Sequence, residues 1–308
     1  QDGGQWDMFV NLMEKYGAVP KSAMPESFQS SQSHMMNRII TRKLRGNASI
    51  LRNNYSNGAN VRDLRGQKEE MMKEIYNMLC ICLGTPPEIF RWQVNDKKKK
   101  FKRFNSLTPS DFYRKHVDIV LQDKVCLIHC PMSNKEINEH YTVNYLGNVV
   151  GGQDISYANV EVDVMKQAAV KSIKGREAVW FGCDVAKMFH RDLGVMDMDL
   201  YDYNLLFGTN FTMDKKTKLE YGDSVMTHAM LLTAVDMMGR QPLKWRVENS
   251  WGDKGGDKGY MLMTDKWFDE YTYEVVIDKK YLPKRLLNIF KKKPIALNPW
   301  DPMGSLAH

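Results

Sequence analysis

The sequence predicts an α+β fold, and three observations predict it. Segments with helical spacing fill the chain up to about residue 120. Apolar and alternating runs of strand length dominate from residue 121 onward. The order is helices first and strands second, rather than a β-α alternation, which favours a mostly antiparallel sheet.

The elements read as follows. Trp6 to Lys15 is a helix closed by Gly17 and Pro20. Met35 to Arg45 and Glu69 to Leu83 carry helical periodicity, the second closed by Gly84 and Pro86-Pro87. Thr108-Pro109-Ser110-Asp111 starts another helix, with threonine as cap and proline in the first turn. Lys124 to His129 and Tyr141 to Tyr145 open the β portion. Glu161 to Ile173 places Met165, Ala168, Ala169 and Ile173 on one helical face, and Gly175 ends it. Ala178 to Asp184, Ser224 to Val235, Leu243 to Asn249, Gly259 to Thr264 and Tyr273 to Ile277 complete the strands.

Composition narrows the class. The chain has 308 residues, 43% of them hydrophobic, and no apolar run near the ~18 residues a membrane span needs, so no membrane partner is expected. Five cysteines form an odd set with no disulfide framework, which fits a reducing compartment. Cys126 and His129 lie on opposite faces of one strand, and the methionine-rich stretches lack accompanying Cys/His sets, so neither a metal nor any other cofactor is expected. Net charge is +7, and its densest patch is Lys97, Lys98, Lys99, Lys100, Lys102 and Arg103. Such a run is commonly a solvated loop, but with Phe101 and Phe104 interleaved it is also a candidate for weak nucleic-acid binding.

The chemistry concentrates in one hairpin. Asp236 to Pro242 breaks two strand runs, and the midpoint of residues 228 and 249 falls inside that turn. Without a bulge, His228 and Asn249 stand directly opposite on one face, their Cβ atoms ~5 Å apart. An amide oxygen there can accept an imidazole N–H, fix the tautomer and leave the other ring nitrogen to a nucleophile.

The surrounding residues identify which nucleophile. Glu248-Asn249-Ser250-Trp251-Gly252, followed by Lys258-Gly259-Tyr260 and a strand, resembles the Asn-Ser-Trp-Gly segment of papain-like cysteine peptidases. Gln1-Asp2-Gly3-Gly4-Gln5-Trp6-Asp7-Met8, Glu14-Lys15-Tyr16-Gly17, Cys80-Ile81-Cys82-Leu83-Gly84, Glu177 to Asp184 and Pro299 to Gly304 narrow the resemblance to the bleomycin hydrolase family, their large aminopeptidase branch. The resemblance runs from the first residue to the last.

It implies a papain-like fold with a helical half, a mostly antiparallel β half and a helical insertion. On this reading residues 1–120 are the helical half with an oligomerisation insertion, truncated at its N-terminus, 121–290 the β-rich half, and 291–308 a tail entering the active-site cleft. The implied function is a cytoplasmic, homohexameric cysteine aminopeptidase acting on peptides and on amide analogues such as bleomycin. His228 and Asn249 are then the catalytic pair, Trp251 shields their hydrogen bond, Gly3 and Gly4 bear the substrate backbone, and Ala307 and His308 gate it. The family's nucleophile lies in a Gly-x-Cys-Trp setting upstream of the Asp-Gly-Gly-Gln-Trp segment, and no cysteine here has that context. The expectation is a C-terminal portion inactive by itself. The competing expectation is a noncatalytic scaffold or nucleic-acid-binding protein that keeps the fold.

Overall fold

The computed structural model describes residues 4–117 and 119–304. The chain divides into two compact units, one formed by Met13–Asp118 with Gln1 and the other by Asp2–Leu12 with Ile119–His308. Helix α1 (Trp6–Tyr16) carries the chain from the second into the first.

In the first unit, short α2 (Phe28–Ser31) precedes two long helices, α3 (His34–Ser56) and α4 (Val61–Leu83). Both exceed their sequence-read spans. Helix α3 continues through Gly46, since the ~1 kcal/mol penalty of one glycine is small beside the packing of α3 along α4. Helix α4 starts at the Asn60 cap, whose side chain accepts from the Asp63 N–H at 2.9 Å. Among their described residues only Asn47 and Ile75 are buried. The unit is less helical than expected: β1 (Phe90–Asn95) and β2 (Phe101–Leu107) pair antiparallel. The intervening turn is built by Asp96, which accepts from the Lys98 and Lys100 N–H groups at 2.9 and 3.0 Å. Lysine-rich composition hid a hairpin that an Asx turn specifies. Helix α5 (Pro109–His116) follows, with Thr108 accepting from Asp111 N–H at 3.1 Å as its cap. Gly17, at φ +74°, sits where any Cβ would lie 2.3 Å from the Pro109 backbone, so α1 must end in glycine.

The second unit is built on one large sheet. Its strands are β3 (Lys124–Ile128), β4 (His140–Val143), β5 (Tyr157–Asn159), β6 (Val179–Cys183), β7 (Phe189–His190), β8 (Val195–Met196), β9 (His228–Met238), β10 (Gln241–Glu248), β11 (Tyr260–Thr264), β12 (Thr272–Asp278) and β13 (Ile295–Leu297). Among the described residues they order as β13-β4-β5-β3-β12-β6-β9-β10-β11-β8-β7. The pairing is mostly antiparallel, with parallel pairs at β13/β4, β3/β5 and β11/β8. Helix α6 (Val162–Lys174) lays Met165, Ala168 and Ala169 against one face, in a core with Phe181, Trp245, Val247, Phe268 and Val275. Helices α7 (Tyr203–Phe207), α8 (Lys215–Glu220), α9 (Asp265–Tyr271) and α10 (Lys284–Leu287) fill the connections.

The hairpin that holds His228 and Asn249 differs from its sequence reading. Its turn is two residues, Gly239 and Arg240, with Gly239 at φ +63°, and not the seven residues expected. Glycine supplies the positive φ that tight hairpins need at the first turn position. Strands β9 and β10 run on to Met238 and from Gln241, which moves the register by two residues.

Candidate active site

Asn249 follows the last residue of β10, and continuing the Glu248↔Leu231 pairing puts it opposite Met230, not His228. The directly opposed pair expected from the sequence is therefore a diagonal one. The contact still forms, because a two-residue offset keeps both side chains on one face. His228 Nε2 and Asn249 Oδ1 are 3.0 Å apart. The amide oxygen can only accept, so Nε2 carries the proton and donates. The Ser250 N–H donates to the same oxygen at 2.7 Å, which holds the amide with its oxygen toward the ring. Nδ1 is left with no hydrogen-bond partner among the described residues.

Trp251 stands against the imidazole with ring centroids 4.9 Å apart at 30°. The Arg191 guanidinium lies 4.7 Å from the Trp251 ring centroid, and Phe189 approaches the same ring at 6.4 Å. Trp251 is 42% exposed, so part of it faces the imidazole and part faces solvent. Arg191, Lys254, Gly255 and Met261 line an open pocket with it. Arg191 had no sequence signal of its own; β7 and β8, two residues each, bring its loop to the tryptophan.

Behind β9 lies a buried polar support that sequence reading missed. Asp184 accepts from Ser224 Oγ at 2.8 Å and from Thr227 Oγ1 at 3.3 Å. Ser224 Oγ is 2.6 Å from the Tyr273 hydroxyl. Lys215 donates to the Thr272 and Asp269 carbonyls at 2.6 and 2.9 Å, and burial lowers its pKa to about 7. This network ties the segment entering His228 to β6 and β12. Its members are scattered from 184 to 273, so only the fold assembles them.

Three of the five cysteines, Cys126, Cys130 and Cys183, are buried. Cys183 is the Cα partner of His228 across β6 and β9, but it is fully buried, and burial pushes its thiol well above the ordinary range. Burial does the same to Cys126 and holds Cys130 at about 11. Cys80 and Cys82 lie late in α4. All five are free, and no cluster of three or more His, Cys, Asp or Glu able to hold a metal occurs among the described residues.

The remaining sequence-derived residues separate. Gly4 is exposed beside Gln5, whose Oε1 accepts from the Tyr157 hydroxyl at 2.7 Å. Gly3, Ala307 and His308 lie outside the described residues. In the tail, β13 pairs parallel with β4, Leu297 and Met303 are buried, and Ile295 and Trp300 stay 48% and 68% exposed, so only part of its apolar surface is covered. Lys97 to Lys100, Lys102 and Arg103 are all exposed on the β1–β2 hairpin. Phe104 is not available for base stacking, since it stacks on Trp92 at 5.3 Å and meets His116 at 4.5 Å. Phe101 remains exposed under Arg103. No helix among the described residues is long and apolar enough to cross a membrane.

The Peptidase C1-like family profile matches residues 1–304. Aminopeptidase C of Listeria monocytogenes serovar 1/2a is 48% identical over 307 residues, covering 100% of this chain and 69% of that protein. Bleomycin hydrolase of Homo sapiens is 47% identical over 312 residues, covering 99% and 69%. The crystal structure of pepw from Lactobacillus rhamnosis HN001 superposes with TM-score 0.95 at 46% identity, covering 98% of this chain and 69% of that one.

Proposed function

The chain belongs to the Peptidase C1-like family, and on that premise, and with relatives named aminopeptidase C and bleomycin hydrolase, we propose that it carries the acid–base half of a cysteine aminopeptidase site. One observation carries this reading: the His228 ring gives its Nε2–H to Asn249, and no described residue engages Nδ1. A thiolate presented to Nδ1 would be stabilised by the imidazolium, an effect that brings the papain cysteine to roughly pKa 3–4. The thiolate attacks the scissile carbonyl, and Nδ1–H protonates the departing amine as the C–N bond breaks. Asn249 keeps the ring aimed, and Trp251 keeps water from the Asn249 bond. Cys126, Cys130 and Cys183 are buried, and Cys80 and Cys82 lie in α4 without the family's Gly-x-Cys-Trp setting, which supports a thiolate supplied by residues other than these 308 and no turnover by these residues alone.

The exopeptidase character is assigned to two segments. Gly3 and Gly4 lack side chains and admit close main-chain pairing with the substrate. The family resemblance supports assigning the tail, residues 291–308, to the blocking of longer N-termini. The exposed apolar residues of α3 and α4, among them Ile39, Ile50, Tyr55 and Ile81, support a homo-oligomer, a hexamer by family resemblance. Five free cysteines support a reducing, cytoplasmic setting.

A second reading, a noncatalytic or nucleic-acid-binding protein on the same fold, is favoured by the lack of a thiol hydrogen-bonded to His228 among the described residues and by the exposed basic hairpin. The aimed histidine, its amide and its indole cover weigh against it, because a protein without the chemistry gains nothing from a tautomer held this way. Replacing His228 and Asn249 one at a time, with unequal losses of turnover, tests the first reading.

A further inference from the structure

We propose that Lys135 and Asp301 form a buried latch that fixes the register of the C-terminal tail, making them positioning residues for the discrimination between free and blocked substrate N-termini. The inference rests on the reading of the tail as a gate.

Lys135 Nζ meets Asp301 Oδ2 at 2.6 Å, and the two side chains are 0% and 5% exposed. Asn134 Oδ1 and Met132 Sδ take up the remaining ammonium donors at 3.2 and 3.3 Å. The other carboxylate oxygen, Oδ1, accepts the Met303 N–H at 2.9 Å. The same residue's backbone makes a tight turn: its N–H donates to Asn298 C=O at 3.0 Å, and its C=O accepts from Gly304 at 2.7 Å. Pro299 and Pro302 flank this turn and restrict its backbone. A Cβ on Gly304 would come within 3.0–3.2 Å of Pro299 O, Asp301 O and Val143 Cγ1, so the chain leaves the turn closely packed.

The turn delivers the tail to a particular place. Met303 is 1% exposed, and its carbonyl oxygen lies 3.4 Å from the Tyr157 hydroxyl. That hydroxyl donates to Gln5, the residue after Gly4. Tyr157 thus joins the tail to the segment assigned to hold the substrate backbone.

A buried ion pair is a poor means of adding stability, because desolvation offsets its Coulomb attraction and an apolar pair often does as well. What it does well is forbid alternatives. Upstream, β13 is a three-residue parallel strand at the sheet edge, held by its pairing with β4 and by Asn144 N–H on Leu297 C=O at 3.0 Å. So short a ladder could slip, and slippage would leave both Lys135 and Asp301 charged, buried and alone. The pair admits one register, and one register gives the gate one reach.

Hydrogen exchange of residues 295–304 in Lys135→Met and Asp301→Asn variants of the full-length polypeptide tests the latch. We expect exchange there to accelerate about tenfold or more, with the 228–248 hairpin unchanged. Exchange within about twofold of wild type in both variants would overturn the proposal; if Lys135→Met fails to fold, Asp301→Asn alone decides. Kinetics separate the latch from the gate. With both readings correct, the variants raise KM for free-amino peptides more than they lower kcat and begin to accept N-acetyl peptides. If the tail is released but the variants and a truncation before Asp301 still reject N-acetyl peptides, the gate reading fails and the latch stands.

Discussion

His228 and Asn249 meet on a diagonal of the sheet, two residues out of direct opposition, and the bond depends on two bulges that cancel. Between Pro242 and Lys244, β10 has one residue more than β9; between Ala234 and Leu232, β9 has one more than β10. The extra residues are Leu243 and Thr233. Their compensation restores at the His228/Asn249 end the register set at the Gly239-Arg240 turn.

Deleting Leu243 alone should therefore shift the catalytic end by one residue and turn Asn249 to the opposite face. The expected outcome is a loss of kcat/KM matching that of Asn249→Ala. Deleting Leu243 and Thr233 together should recover most of the activity. Equal activity in the single and double deletions would show that the bulges do not set the contact.

Glu274 gives a pH prediction. It lies at the centre of β12, fully buried, with neither carboxylate oxygen hydrogen-bonded among the described residues. Burial raises its pKa from 4.5 to about 8, and burial likewise raises the nearby Asp7 from 3.8 to about 6. Carboxyls with raised folded-state pKa values bind more protons folded than unfolded, so the contribution of these two to the unfolding free energy falls as pH rises from about 4 to about 8. Glu274→Gln should remove most of that slope and stabilise the protein at pH 8 by roughly 4 kcal/mol, while changing little at pH 4. Denaturant titrations at the two pH values measure it; an unchanged slope would mean that Glu274 ionises normally in the fold.

The basic hairpin gives another. Serine at Lys97, Lys98, Lys99, Lys100 and Lys102 should leave peptide hydrolysis intact. If the hairpin binds nucleic acid, wild-type affinity for single-stranded DNA falls steeply with salt and the variant loses most of it. Because Phe104 is engaged by Trp92 and His116, any stacking must come from Phe101. Binding that is insensitive to salt or to the substitutions assigns the run to solvated surface.

Much of this was legible in the residues. The long periodic segments gave α1, α6 and the strands around Phe181, Trp245 and Val275, because their apolar spacing is what the core selects. The His228–Asn249 pair was legible from its hairpin spacing together with the Asn249-Ser250-Trp251-Gly252 run, but its register was not. Pro242 and Gly239 both read as breakers, whereas the structure confines the turn to Gly239-Arg240 and takes Pro242 into β10. The β1–β2 hairpin was hidden by lysine composition, and β5, β7 and β8 by their length of two or three residues. The Asp184–Ser224–Tyr273 support and the Lys135–Asp301 pair join positions 40 to 166 residues apart, and no local pattern can announce them.

The central claim is that the His228 imidazole carries the proton and Asn249 only aims it. The most direct test is kcat/KM on an aminoacyl-fluorophore substrate for wild-type, His228→Ala and Asn249→Ala forms of the full-length enzyme. Removing the proton carrier should cost about 10³-fold or more. Removing the amide should cost about 10- to 100-fold, since the ring is still present but less well oriented. A His228→Ala enzyme with near-normal turnover, or an Asn249→Ala loss as deep as that of His228→Ala, would contradict the account.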